Sequence, residues 1–188
     1  MLDTQELLEK YTAGNPELLR ILTGHSQAVR DLALEIIDRK GLDRPGPDGH
    51  PAIDRQFVEE AAMLHDIGCV RVDAPSIHCY GPDPYICHGI DGRAILEAEG
   101  LSRHALVCER HTGSGISVDQ IIAQDLPLPH RDMLPLTLEE KLICYADKFY
   151  SKSRDLRAAK PLDKIMAQMA AHGPEALARF QALHALFA

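Results

Sequence analysis

The sequence has no tryptophan, and Phe and Tyr together bring the aromatic share to only 5%. It also lacks any apolar run of about 18 residues, which excludes a membrane-spanning helix. The first residues, Met1-Leu2-Asp3-Thr4-Gln5-Glu6, carry neither a basic region nor an apolar core, so no signal peptide is expected. A surplus of basic charge is missing too: 20 Lys and Arg face 28 Asp and Glu, a net charge of -8. That excludes a general nucleic-acid binder, which must neutralise a phosphate backbone. A small phosphorylated ligand, held by a metal and a few local cations, stays open. Five cysteines (Cys69, Cys79, Cys87, Cys108, Cys144) are odd in number and scattered, with no Cys-x-x-Cys pair. This fits a reducing compartment and no disulfide framework, so a cytoplasmic protein is expected.

What remains is an ordinary globular composition, 45% apolar over 188 residues, and a generous ten histidines. The length suits one domain with its own core. His50, His78, His104, His130 and His172 stand in polar surroundings and read as solvent-exposed.

Nearly every periodic segment reads as helix. Asn15-Pro16 caps a first stretch carrying Leu18, Leu19 and Leu22. A second runs from Gly24 to about Lys40, closed by Gly41, with His25 at its start. Residues 43–53 are a Pro/Gly-rich loop. Asp54 then caps a helix through Phe57, Val58, Ala61, Ala62, Leu64 and His65. Residues 69–87 are irregular and long enough to be functional, a candidate lid. Helices follow from His88 or Gly89 to Glu99, from a Ser102 cap to about His111, and from a Ser117/Gln120 capping box through Gln124. A second box, Thr137 with Glu140, opens a helix carrying Leu142, Ile143, Ala146 and Phe149. Two short amphipathic helices, parted by Gly173-Pro174, fill 161–187. Leu177, Phe180, Leu183 and Leu186-Phe187 would pack on the domain or on a partner, such as a second copy. No strand pattern stands out, and the class is all-α.

The adjacent pair His65-Asp66 combines an imidazole and a carboxylate, a donor set suited to a divalent metal. Other candidate ligands fall at helix ends or on apolar stripes: His25, His88, His111 and Asp147. Each alone has a plainer reading. His25 fits a satisfied core imidazole, His88 a first helical residue, His111 a cation at a helix C-terminus, and Asp147 a partner of Lys148 or Arg110. A carboxylate near a buried stripe is nonetheless costly without a compensating charge. The joint pattern is harder to attribute to chance than any one member.

These residues carry a resemblance. The order His25, His65-Asp66, His88, His111, Asp147, within Ala61-Ala62-Met63-Leu64-His65-Asp66-Ile67-Gly68, Cys87-His88-Gly89-Ile90-Asp91-Gly92, Glu109-Arg110-His111-Thr112-Gly113 and Thr137-Leu138-Glu139-Glu140-Lys141, resembles the HD-domain superfamily of metal-dependent phosphohydrolases in its His-Asp-Ile-Gly variety. It is similar in particular to small stand-alone proteins of that type. The resemblance implies a helical bundle of about seven to nine helices, with a core over about residues 16–155 and the C-terminal helices packed on it. It also implies two divalent transition metals, drawn from Fe, Mn, Ni, Co or Zn. His25, His65, Asp66 and Asp147 would hold the first. His88 and His111 would hold the second, with Asp66 bridging.

The activity implied is hydrolysis of a phosphoester or phosphoanhydride of a nucleotide or small phosphorylated metabolite. Asp66 and Lys148 are the expected catalytic residues, and Lys148 and Lys152, one helical turn apart, the expected phosphate contacts. Arg71 and Arg93 read as solvated surface charges. Cys69 stands where many relatives carry a phosphate-contacting Lys, and reads as a small buried thiol. Three rivals remain: a di-iron oxygenase similar to inositol oxygenase, a nucleotide-binding regulatory module without turnover, and a loop zinc site of His78, Cys79, Cys87 and His88.

Overall fold

The computed structural model describes residues 2–46, 52–152 and 155–188. Residues 47–51 of the Pro/Gly-rich loop, His50 among them, lie outside that set. Among the described residues there are nine α-helices: α1 (Thr4–Tyr11), α2 (Pro16–Lys40), α3 (Arg55–Leu64), α4 (His88–Ala98), α5 (Ser102–Arg110), α6 (Val118–Ala123), α7 (Leu138–Asp147), α8 (Leu162–Ala171) and α9 (Pro174–Phe187). The class is all-α, as expected, and none of these helices is long and apolar enough to cross a membrane.

The segment between α3 and α4 corrects one expectation. It holds a 3₁₀ turn (Ile67–Arg71) and a small sheet of β1 (Val72–Ala74), β2 (Cys79–Tyr80) and β3 (Asp83–Pro84). The order is β2-β1-β3, with β1 antiparallel to β2 and parallel to β3. Strands of two or three residues are too short to show a period-2 pattern. Pro84 is tolerated because β3 is an edge strand.

Capping chemistry sets most helix ends. Asn15 accepts from Leu18 N at 3.1 Å, Asp54 from Phe57 N at 3.0 Å. Ser117 and Gln120 form the full reciprocal box. At α7, Thr137 accepts from Glu140 N, but the Glu140 side chain goes elsewhere, to Arg110 at 2.9 Å and Leu136 N at 2.7 Å. Ser102 is the first residue of α5 and makes no cap bond. Helix α1, capped by Asp3, is an addition to the expected helices: its apolar face is only Leu7, Leu8 and Tyr11, too short a run to mark a helix by period alone.

The two segments read separately over 16–40 are one helix of 25 residues, so His25 lies inside α2 and not at a start. Gly24 costs that helix about 1 kcal/mol relative to Ala. Its small size has a packing reason: a Cβ there would come 2.8 Å from Leu156 Cδ1.

The apolar interior divides into two main clusters. One gathers Val29, Ala33, Ile36, Phe57, Val58, Leu142, Ile143, Ile165, Phe180, Leu183 and Phe187. The C-terminal helices thus bury their apolar stripe in this cluster, with α9 against α7. The other gathers Leu8, Leu18, Leu22, Leu64, Ile67, Val72, Ile95, Leu96 and Cys108. Along α2 the change from one cluster to the other falls at residues 22–29, and His25 sits there.

Gly68, three residues after His65, is where the 3₁₀ turn meets α4. A Cβ at this position would stand 2.0 Å from His88 O and 2.3 Å from Gly92 N. Both neighbours are backbone and cannot yield cheaply. Gly68→Ala is therefore expected to destabilise the fold by about 3 kcal/mol, at the upper end of overpacking costs, and to displace His88. A lowered midpoint in denaturant together with weakened metal binding would be the observed result; a wild-type midpoint would show that the turn has room.

Candidate metal centre

Six side chains from five segments converge at the boundary between the two apolar clusters. His25 comes from the middle of α2, and His65 and Asp66 from the end of α3. His88 opens α4, His111 follows α5, and Asp147 closes α7. All six are buried.

The histidines are aimed by the helix ends they occupy. The last carbonyls of a helix have no intrahelical partner. His65 Nδ1 lies 2.7 Å from Ala62 O, and His111 Nδ1 lies 2.7 Å from Cys108 O, each three residues upstream. His88 Nδ1 takes Tyr85 O at the same distance and the same spacing. A carbonyl accepts only from an N–H, so Nδ1 is the protonated nitrogen of each neutral ring and Nε2 is the one that can ligate a metal.

The carboxylate of Asp66 divides between two groups. Its Oδ2 lies 3.2 Å from His25 Nε2 and 3.1 Å from His65 Nε2. Its Oδ1 lies 3.3 Å from His111 Nε2 and 3.6 Å from His88 Nε2. Asp147 Oδ1 completes the first group, 2.9 Å from His25 Nε2 and 3.5 Å from His65 Nε2. The two sets, His25-His65-Asp66-Asp147 and Asp66-His88-His111, each bring their ligand atoms within 4.8 Å of one another.

The electrostatics fit a cation. Burial and the neighbouring His111 push the His88 pKa down to about 3, and burial lowers that of His111 as well. Both are neutral imidazoles, the form that binds a metal. Burial also works against charge on His65, but Asp66 and Asp147 outweigh it and raise its pKa to about 9. Burial works against ionised Asp66 too, yet His65 and Lys152 hold it well below the usual carboxylate range. Lys148 does the same for Asp147. Two carboxylates thus stay ionised inside the fold. His65 Nε2 is buried and, though 3.1 Å from Asp66 Oδ2, makes no hydrogen bond of good geometry. A buried ring nitrogen left in that state is costly unless something else ligates it, and a divalent cation fits the donor set.

Two lysines close the site. Lys148 Nζ bonds Asp147 Oδ2 at 2.6 Å and His111 O at 3.1 Å. Lys152 Nζ lies 2.8 Å from Asp66 Oδ2 and 3.1 Å from Tyr85 OH. Helix α7 stops at Asp147, so Lys152 is not one turn along the same helix, as the spacing had suggested; the chain beyond α7 returns it to the site. Tyr85 was not anticipated. It stacks on the His88 ring at 4.8 Å, and its only sequence signal is its place three residues before His88.

Other expectations resolve plainly. Asp147 pairs with Lys148, while Arg110 pairs with Glu140. Arg71 is exposed, but Arg93 is no free surface charge: it bonds buried Glu109 at 2.6 Å, and Arg131 bonds the same carboxylate. His104 is half-buried, edge-on to Phe57 at 4.8 Å. Cys69 is fully buried; hydrogen bonding with Cys79, burial and the Asp66 carboxylate all push its pKa well above the ordinary thiol value. It is a neutral thiol, not a nucleophile. Among the described residues, His78, Cys79 and Cys87 join no metal-ligating group, which removes the loop zinc site.

The centre opens into a cleft of about 700 Å³, walled by Tyr85, Ile86, Thr112, Ile116, Gln120, Leu126 and the lysines. That volume suits a nucleotide-sized ligand.

The family model of the HD domain matches residues 22–151. The chain is 36% identical over 112 residues to a tRNA (cytidine(56)-2'-O)-methyltransferase of Picrophilus torridus, covering 59% of this chain and 29% of that one. It is 30% identical over 154 residues to an uncharacterised protein of Methanocaldococcus jannaschii, covering 80% and 78%. A tRNA (cytidine(56)-2'-O)-methyltransferase of Thermoplasma volcanium is 28% identical over 159 residues, covering 84% and 38%. The chain thus spans well under half the length of the two methyltransferases. No solved structure matches it significantly.

Adding Mn²⁺ or Ni²⁺ to chelator-treated protein is expected to raise its melting temperature, by an amount worth about 2.7 kcal/mol at a hundredfold excess over Kd. Asp66→Asn, which touches both groups, should abolish most of that shift, whereas His88→Ala should remove only part. A wild-type midpoint that ignores every divalent metal would sink the site.

Proposed function

The chain belongs to the HD-domain family, and from that premise we propose that it is a metal-dependent phosphohydrolase with a dinuclear centre. Its substrate is a nucleotide or small phosphorylated metabolite, cleaved at a phosphoester or phosphoanhydride bond. The observation that carries this reading is the split of Asp66: one oxygen faces each histidine group, beside a cleft bearing lysines. His25, His65, Asp66 and Asp147 would hold one ion, and Asp66, His88 and His111 the other. Iron, manganese, nickel, cobalt and zinc all suit imidazole and carboxylate donors. Bound there, such ions acidify water and offset charge on phosphoryl oxygens.

The protein's own groups do the rest. Lys152, with its ammonium between Asp66 and Tyr85 OH, is the cation best placed to take a phosphoryl oxygen. Lys148, tied to Asp147 Oδ2 and His111 O, holds the carboxylate in the orientation that leaves Oδ1 toward the histidines. That makes it a positioning residue more than a direct phosphate contact. The apolar and amide walls, Ile86, Ile116, Leu126 and Gln120, offer a neutral surface to the remainder of the substrate. The methyl transfer named for the two archaeal relatives does not carry over, since the match covers only part of each and the site is a set of metal donors.

A panel of phosphomonoesters, nucleotides, cyclic dinucleotides and dinucleoside polyphosphates, run with Mn²⁺, Fe²⁺, Co²⁺ or Ni²⁺, should yield phosphate release. Lys152→Met should lower kcat/KM about a hundredfold, the scale for losing one charge-stabilising donor. No phosphate release, with iron-dependent O2 uptake instead, would replace the hydrolase by an oxygenase.

A further inference from the structure

The cleft holds a third lysine that the metal centre does not use. Lys160 follows the turn after α7, anchored by its backbone N–H to Phe149 O at 2.7 Å. Its side chain lines the cleft with Gln168 and His172 of the α8 end. Lys148 and Lys152 are each neutralised by a carboxylate of the centre. Lys160 is not: among the described residues its Nζ meets only the Gln168 amide oxygen, at 3.5 Å, and no acid lies within ion-pair distance.

The surroundings sharpen the contrast. The protein carries a net charge of -8. Yet the described lining of this cleft includes Lys148, Lys152 and Lys160, with Asp147 as its sole acid. An acidic protein has concentrated cations along one wall. Burial, joined by the ammonium groups of Lys148 and Lys152, lowers the pKa of Lys160 against the attraction of Asp147. Lys160 makes no direct ion pair among the described residues, and a bound anion would supply one. Charge focused in a low-dielectric cleft is also felt more strongly than on an open surface.

We propose that Lys160 anchors a second anionic group of the substrate, so that the ligand of this cleft carries two phosphates, one at the metal centre and one at Lys160. This rests on the phosphohydrolase reading for the first position. It goes beyond that reading by distinguishing a doubly phosphorylated substrate from a simple monoester.

Three ligands sharing one base separate the possibilities: adenosine 5'-monophosphate, adenosine 5'-diphosphate and adenosine 3',5'-bisphosphate. Their dissociation constants are measured at 4 °C on the metal-loaded, full-length protein, with phosphate release followed in the same samples. At least one of the doubly phosphorylated ligands should bind about tenfold tighter than the monophosphate, the scale of one charge-assisted contact. Lys160→Met should collapse that margin, and Lys160→Arg should keep it. A wild-type protein without any margin, or a margin that survives Lys160→Met in a variant with an unchanged melting temperature, overturns the subsite. Phosphate release scores the other claim separately. A Lys160-dependent margin with no release from any member of the wider phosphoester panel leaves the subsite standing and removes the hydrolase, whereas turnover with no such margin does the reverse.

Discussion

The carboxylate of Asp66 is the constraint on which the rest of this structure turns. It is fully buried and ionised, and its two oxygens are divided between two histidine pairs. An isolated carboxylate at such depth would be driven to protonate. Here the surrounding imidazoles and Lys152 keep it charged, and that concentration of donors gives the interior a use beyond packing. The six candidate ligands come from five chain segments, so their convergence requires α2, α3, α4, α5 and α7 to hold a common register. The two apolar clusters impose that register from either side.

Around this carboxylate the backbone supplies precision that side chains alone would not. His65, His88 and His111 each turn an Nδ1 to a carbonyl three residues back, so the ends of helices and turns set the direction of Nε2. Gly68 lets the 3₁₀ turn after Asp66 lie against the first residue of α4, which brings the two halves of the centre together. Farther out, buried Glu109 clamps Arg93 and Arg131, and Glu140 clamps Arg110 and the Leu136 amide. Arg131 and Leu136 thereby tie the segment between α6 and α7 to α5 and α7. Breaking one partner would strand a buried charge, a costly outcome. Cys69 has a different place: its thiol sits 3.9 Å from Asp66 Oδ1 as a neutral filler, and the cations of the cleft arrive instead from the chain beyond α7.

Much of the fold and all six metal-ligand candidates were legible in the residues. The all-α class followed from apolar periodicity, and Asn15, Asp54 and Ser117 marked helix starts because a side-chain acceptor next to free N–H groups is a local device. The His-Asp pair and its companions were legible through chemistry and order along the chain. The short sheet was not, because strands of two or three residues leave no periodic trace. Nor was the continuity of α2 across Gly24, since a glycine's local cost can be repaid by burial on both sides.

The amino-acid sequence by itself determined the donor types, the helical segments that carry them and the acidic balance of the whole chain, because those depend on residue identity and on neighbours within a few positions. Only the tertiary structure decided which oxygen of Asp66 meets which histidine, that Lys148 and Lys152 face the centre from beyond a helix end, and that Lys160 and Tyr85 share its cleft. Those facts depend on distances between segments up to 122 residues apart, as between His25 and Asp147. Such distances are set by packing, and no local pattern encodes them.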